Sequence, residues 1–314
     1  MSTPAVIGGR APLVERALRW TTSPTALRRL ALASIVVNVL IVVSGGAVRL
    51  SNSGLGCPTW PTCSGSSLVV TAKLGAHGVI EFGNRMLTYV VGIVLLATLI
   101  AAWRQRRQVR LALLLLASIP AQAVLGGIVV LTDLNPWLVA LHFLLSAAII
   151  AVAYLLWSRL ACAPLPGTPR AGRLLATVLV AVTAAVLAIG TIVTGSGPHA
   201  GDVSKDGSLH RIAIKSSSIS QLHADSVMLL IGATVGFVLL AFALSLPRRV
   251  RVATLVLLGV ELGQGIIGYV QYFLHVPPLL VGLHMLGACL VWIAALRVLT
   301  LVEPRLYGPH QPGQ

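Results

Sequence analysis

The sequence predicts an all-α integral membrane protein: eight transmembrane helices in two pseudo-symmetric four-helix bundles, with both termini cytoplasmic. Three observations predict it. The 314-residue chain is 56% hydrophobic and only 10% charged, where a soluble domain carries about 25% charged residues. Its apolar residues gather into eight runs, each near the roughly 20 residues that cross a hydrocarbon core. Its basic residues fall on alternate loops.

The runs lie at 30–50, 76–102, 111–131, 138–158, 174–195, 222–246, 252–272 and 279–300. The first follows a basic leader and has no small-residue cleavage site after a short apolar region. It is expected to be a retained span rather than a cleaved signal. The sixth is expected to open close to His223. The resulting organisation is a basic cytoplasmic segment (1–29), an N-terminal half (30–158), a cytoplasmic linker (159–173), a C-terminal half (174–300) and a cytoplasmic tail (301–314).

The net charge of +15 points to topology rather than nucleic acid. Arg10, Arg16, Arg19, Arg28 and Arg29 precede the first span, and Arg104, Arg106, Arg107 and Arg110 follow the second. Arg159, Arg170 and Arg173 separate the halves, Arg248, Arg249 and Arg251 follow the sixth span, and Arg297 and Arg305 close the chain. These are 17 of the 23 basic residues. The opposite loops hold Arg49, Lys73, Lys205, Arg211 and Lys215, and Arg85 lies inside the second span. The bias places both termini in the cytoplasm of a cell-membrane protein. Cys57 and Cys63 fall in the first outer loop, CPTWPTC. On the oxidising side a disulfide is the first reading, with two free thiols or a metal clip as alternatives. Cys162 and Cys289 lie at or within helices and are expected to pack.

The chain also repeats itself. Gln122–His142 reads QAVLGGIVVLTDLNPWLVALH and Gln264–His284 reads QGIIGYVQYFLHVPPLLVGLH. They align without a gap, matching Gln122 with Gln264, Gly126 with Gly268, Pro136 with Pro278 and His142 with His284. A weaker echo pairs Gly45 and Val48 with Gly190 and Val193. Four spans per half preserve orientation, so these are parallel repeats.

In an up-down-up-down bundle the second and fourth helices face each other diagonally. His223 and His284 are therefore expected at one depth on diagonal helices of the second half. Two imidazoles facing each other across a bundle core suit six-coordinate haem iron, and Gly126 and Gly268 would let a flat macrocycle approach. A single such histidine would more simply be structural; the repeated pair favours a cofactor. His199, His210, His275 and His310 fall in loops or the tail, with His199 and His275 near enough to the rim to touch a propionate.

The first half differs. Its second span reads AHGVIEFGNRML, with Asn84 where His223 would stand, Glu81 one turn before it and Arg85 after it. An ionisable group in a membrane helix costs roughly 2.5–3.5 kcal/mol at the centre, so it needs a partner or a task. Glu81 and Arg85 at i, i+4 can pair with each other. A carboxylate beside a half-site with one firm histidine looks more like a reaction centre.

These residues resemble the haem A synthases of aerobic respiratory chains. The resemblance rests on GGAVRLSNSGLGCPTWPTC, EFGNR, the two Gln-to-His segments and QLHAD, and covers about residues 30–300. It implies oxidation of a methyl of haem O to a formyl group, giving haem A for terminal oxidase biogenesis, with water as the oxygen source. It implies haem b held by His223 and His284, substrate haem in the N-terminal half bound through His142, an essential Glu81, and a Cys57–Cys63 disulfide. Implied partners are the haem O substrate, a membrane farnesyltransferase that supplies it, oxidase assembly factors, an electron acceptor and a second copy of the chain. Many members carry histidine three residues after the glutamate, where this chain has Asn84. His77 shares that helical face but stands about 10 Å away at 1.5 Å per residue. The expectation is a substrate held by His142 alone, with Asn84 hydrogen-bonding water or an iron-bound ligand, and Arg49 and Arg85 meeting propionates or Glu81. The rival reading is a quinol-linked b-type cytochrome that only carries electrons; it would need paired histidines in both halves. A haem-binding transporter is a third option, and nothing marks an alternating-access gate.

Overall fold

The computed structural model describes residues 21–65, 67–69, 74–162, 168–199 and 210–307. Residues 1–20 of the basic leader, Lys73, Lys205, His310 and the end of the tail lie outside the described residues.

Among the described residues eight helices carry the fold: α1 (Pro24–Leu50), α2 (Gly75–Arg104), α3 (Val109–Leu131), α4 (Pro136–Ala161), α5 (Arg170–Ser196), α6 (Ser216–Ala243), α7 (Arg248–Phe273) and α8 (Pro278–Val302). Each is long and apolar enough to cross a membrane, where a helix satisfies its own backbone without water. A 3₁₀ turn, Pro304–Tyr307, follows α8. Proline opens α1, α4 and α8, where its fixed φ suits the first turn and its missing N–H costs nothing. Asn135 caps α4 by accepting from the Trp137 backbone N–H at 3.0 Å. The spans expected from sequence are all present.

The sixth is displaced: α6 begins at Ser216 and ends at Ala243, not at 222 and 246. The serine-rich SSSISQ stretch reads as loop by composition, yet it adds two polar turns at the membrane edge. His223 therefore does not open its helix. It stands seven positions after Ser216, while His142 and His284 each stand six positions after Pro136 and Pro278. At 1.5 Å per residue all three are about 9–11 Å from their helix starts.

Within residues 21–161, α1 packs on α2 and α4, and α3 packs on α2 and α4, leaving α2 and α4 across the diagonal. Within 170–302, α5 packs on α6 and α8, and α7 on the same two, leaving α6 and α8 across the diagonal. Contacts of α1 with α8, and of α4 with α5 and α8, join the two sets. Here Trp292 Nε1 donates to the Ala147 carbonyl at 2.8 Å, and a Cβ on Gly46 would stand 2.6 Å from Met285 Sδ. Small residues permit such close helix approach in lipid. Leu179, Leu230, Phe237 and Leu257 fill one core, and Leu95, Leu115, Ile150 and Leu156 the other. The outward faces carry exposed apolar side chains such as Ile93, Leu239, Ile266 and Leu279, an arrangement that suits acyl chains and not water.

Candidate haem and substrate site

The repeated glutamine, glycine and histidine act together. Gln264 Nε2 donates to the His284 carbonyl at 2.5 Å. Gln122 Nε2 donates to Ser146 Oγ at 2.8 Å and reaches the His142 carbonyl at 3.4 Å. Each histidine then lays its ring on a glycine of the neighbouring helix. A Cβ on Gly126 would stand 3.2 Å from His142 Cε1, one on Gly268 3.3 Å from His284 Cε1, and one on Gly190 3.2 Å from His223 Cε1. The glycines thus seat imidazoles, a different role from the expected approach of the macrocycle.

The His223 and His284 rings converge across the α6–α8 diagonal, with centroids 6.4 Å apart and planes inclined at 67°. Metal–imidazole bonds are about 2 Å, so two trans ligands place their nitrogens about 4 Å apart and their ring centres about 6 Å apart. The pair has the spacing to grip one iron. Among the described residues no three His, Cys, Asp or Glu side chains cluster as a bare metal site. Two protein donors suffice when the metal brings its own equatorial ligands, as haem iron does. Among the described residues the buried Nδ1 atoms of His142 and His284 have no hydrogen-bond partner. His223 Nδ1, with the Val186 backbone beside its ring, completes no bond of good geometry either. These imidazoles fit haem.

In the first half the carboxylate of Glu81 is 5% exposed. Its Oε2 accepts from the Cys57 backbone N–H at 2.5 Å and its Oε1 from Arg85 Nη2 at 2.6 Å. Arg85 also donates to the carbonyls of Thr59, Thr62 and Cys57. The Glu81–Arg85 pairing weighed from the spacing is therefore present, and the arginine is committed to the loop. Cys57 and Cys63 are joined in a disulfide. The loop closes over this end of the half: Trp60 lies on α3, where a Cβ on Gly127 would meet its ring at 2.5 Å. A Cβ on Gly56 would overlap the His77 carbonyl. Gly56→Ala is expected to lower stability by about 1–3 kcal/mol, read as a fall in melting temperature in detergent with faster proteolysis in the loop.

The remaining expected site residues are placed as follows. His77 is exposed and its Nδ1 meets Ser53 Oγ at 2.9 Å, so it serves the loop edge. Asn84 Oδ1 accepts from Ser44 Oγ on α1 at 2.6 Å. Arg49 donates to the Thr194 and His199 carbonyls, and His199 Nε2 meets the Val276 carbonyl at 2.8 Å. Arg49 thereby fastens α1 to the end of α5. Both guanidinium groups donate to backbone carbonyls, and Arg85 donates to Glu81 as well.

One buried group escaped the sequence reading. Glu261, midway along α7 and 3% exposed, accepts from Thr234 Oγ1 at 2.9 Å, while its buried Oε2 has no partner among the described residues. The signal was present as an acidic residue inside an apolar run. The repeat obscured it, because Ile119 stands at the matching position of the first half. Thr234→Val removes the remaining donor and is expected to cost about 1–3 kcal/mol. The double variant with Glu261→Leu is expected to recover most of it, measured as melting temperatures in a double-mutant cycle.

Among the described residues, eight helices long and apolar enough to cross a membrane, with two imidazoles converging inside one bundle and a buried carboxylate in the other, define a multi-pass membrane protein. The family model described as cytochrome oxidase assembly protein, COX15-CtaA, matches residues 28–206. The chain belongs to this family. Among its curated relatives, the heme A synthase of Lysinibacillus sphaericus is 34% identical over 135 residues, covering 41% of this chain and 43% of that one. The heme A synthase of Geobacillus thermodenitrificans is 33% identical over 144 residues, covering 44% of each. That of Bacillus licheniformis is 29% identical over 136 residues, covering 42% and 44%. These alignments span less than half the length of each relative.

Proposed function

We propose that this protein is a haem A synthase: an oxidoreductase of the cell membrane that converts a methyl group of haem O to the formyl group of haem A. Family membership and the names of the relatives support this reading. The observation that carries it is the asymmetry between the halves. One diagonal pair is His223 and His284; the other is His142 and Asn84, with the buried Glu81 one turn from Asn84. An electron carrier needs two sites that only bind haem. A carboxylate in a membrane helix costs stability and is kept there by a partner, here Arg85, or for a task.

In this reading His223 and His284 hold a resident haem b and His142 holds the substrate haem. The resident haem, when bound, supplies one-electron chemistry. The overall change, R–CH3 + H2O → R–CHO + 4 H⁺ + 4 e⁻, requires a base at the methyl and an external electron acceptor. Glu81 is the base, within hydrogen-bond reach of the Arg85 guanidinium and the Cys57 amide that orient it. The disulfide-closed loop keeps bulk water from that carboxylate. Haem O would come from a membrane farnesyltransferase, and the product would pass to oxidase assembly.

Pigment extracted from cells that co-express the protein with a haem O source tests the reading. A formyl-bearing haem is expected, and it should vanish in Glu81→Ala. Unchanged haem composition would favour the electron carrier.

A further inference from the structure

Three of the four glycines at the matched positions carry an imidazole; the fourth does not. Gly126, Gly190 and Gly268 each meet a histidine ring within 3.2–3.3 Å of where a Cβ would stand. Gly45, which the sequence echo pairs with Gly190, is half-buried like the other three, yet among the described residues no side chain lies within 4 Å of that point. The neighbouring side chain on α2 is Asn84, and it is too short to lie over Gly45. Its Oδ1 turns instead to Ser44 Oγ at 2.6 Å, while Ser44 also donates to the Ile41 carbonyl at 3.1 Å.

We infer that Gly45, Ser44 and Asn84 bound a binding site for a small neutral donor, such as water or imidazole, on the iron face opposite His142. The inference rests on the reading that the N-terminal half binds haem. Where the other half would close its iron with a second imidazole, this half leaves open space beside Gly45 and holds a hydroxyl and a carboxamide next to it. Both can orient a coordinated water or a small ligand by hydrogen bonding. The iron in this half is thus open to exchange and the iron between His223 and His284 is not. The same fold then serves one site that binds and one that is sealed.

The test uses purified, haem-loaded protein and three readouts: haem per chain, spin state by optical and paramagnetic resonance spectra, and titration with free imidazole. The wild type is expected to bind two haems. One should be low-spin and indifferent to imidazole, and the other high-spin and converted to low-spin on titration. Asn84→His should make the second haem low-spin without added imidazole and weaken the response at least 10-fold. Gly45→Val, which fills the space without adding a ligand, should keep two haems and also weaken imidazole binding at least 10-fold. Two low-spin haems in the wild type, or an unchanged titration in Gly45→Val, would overturn the inference while leaving the haem reading intact. A single haem per chain, lost on substitution of His223 or His284 and untouched by His142→Ala, would overturn both.

Discussion

Replacing Glu81 with glutamine is expected to slow formation of the formyl-bearing haem by about 10²–10⁴-fold, the range over which a positioned acid or base contributes. That corresponds to about 2.7–5.5 kcal/mol of activation free energy. The substitution keeps volume and leaves one oxygen to accept from the Cys57 backbone N–H. It removes the charge that faces Arg85 at 2.6 Å. If the carboxylate served only to pair with Arg85 and hold the loop, the loss would appear in stability and in haem content instead. The two roles separate in a comparison with Arg85→Met. A structural pair makes the two variants alike in melting temperature and in turnover. A catalytic Glu81 makes Glu81→Gln far slower at similar stability. The measurement is the haem O to haem A ratio in membranes, normalised to protein and to resident haem.

The second large effect is expected at His284. His284→Ala should abolish the low-spin signal of the resident haem and most of its retention through purification, as should His223→Ala. His142→Ala should leave that signal in place. The basis is the 6.4 Å centroid separation, which leaves room for one iron and no spare donor. Removing either ring leaves an open coordination position and a gap beside Gly268 or Gly190. If haem binds only the folded chain, its loss would also lower apparent stability, by about 4 kcal/mol with haem at a thousand times its dissociation constant. Melting temperature with and without added haem should therefore diverge in the wild type, and the gap should shrink in His284→Ala to what the His142 half alone supplies.

Much of the fold was legible because a bilayer imposes few solutions. Runs of about 20 apolar residues must be helices when no water can satisfy the backbone, and all eight are found. Where the environment changes from lipid to water the rule loses force, and there the boundary slipped: α6 gains Ser216–Gln221, polar residues that hydropathy reads as loop. The site was legible where residue types repeat at fixed offsets. Gln264 and His284 were visible as a pair, and the hydrogen bond from one to the other's carbonyl explains why they travel together. What sequence could not give was partnership across the bundle. Nothing in the spacing of Arg49 says that it reaches Thr194 and His199, nor that Ser44 holds Asn84 aside from Gly45. Those contacts join residues 40 to 150 positions apart, and only folding brings them together. Glu261 was legible and overlooked, since a repeat draws attention to what the halves share rather than to where they differ.

The proposed function stands on imidazoles that project from diagonal helices and grip iron porphyrin inside the bundle. Its most direct measurement is a haem titration of the purified apoprotein followed by optical absorption. Saturable uptake is expected, with a low-spin spectrum that depends on both His223 and His284. A colourless protein that takes up no haem, or one whose low-spin spectrum survives loss of both histidines, would contradict it.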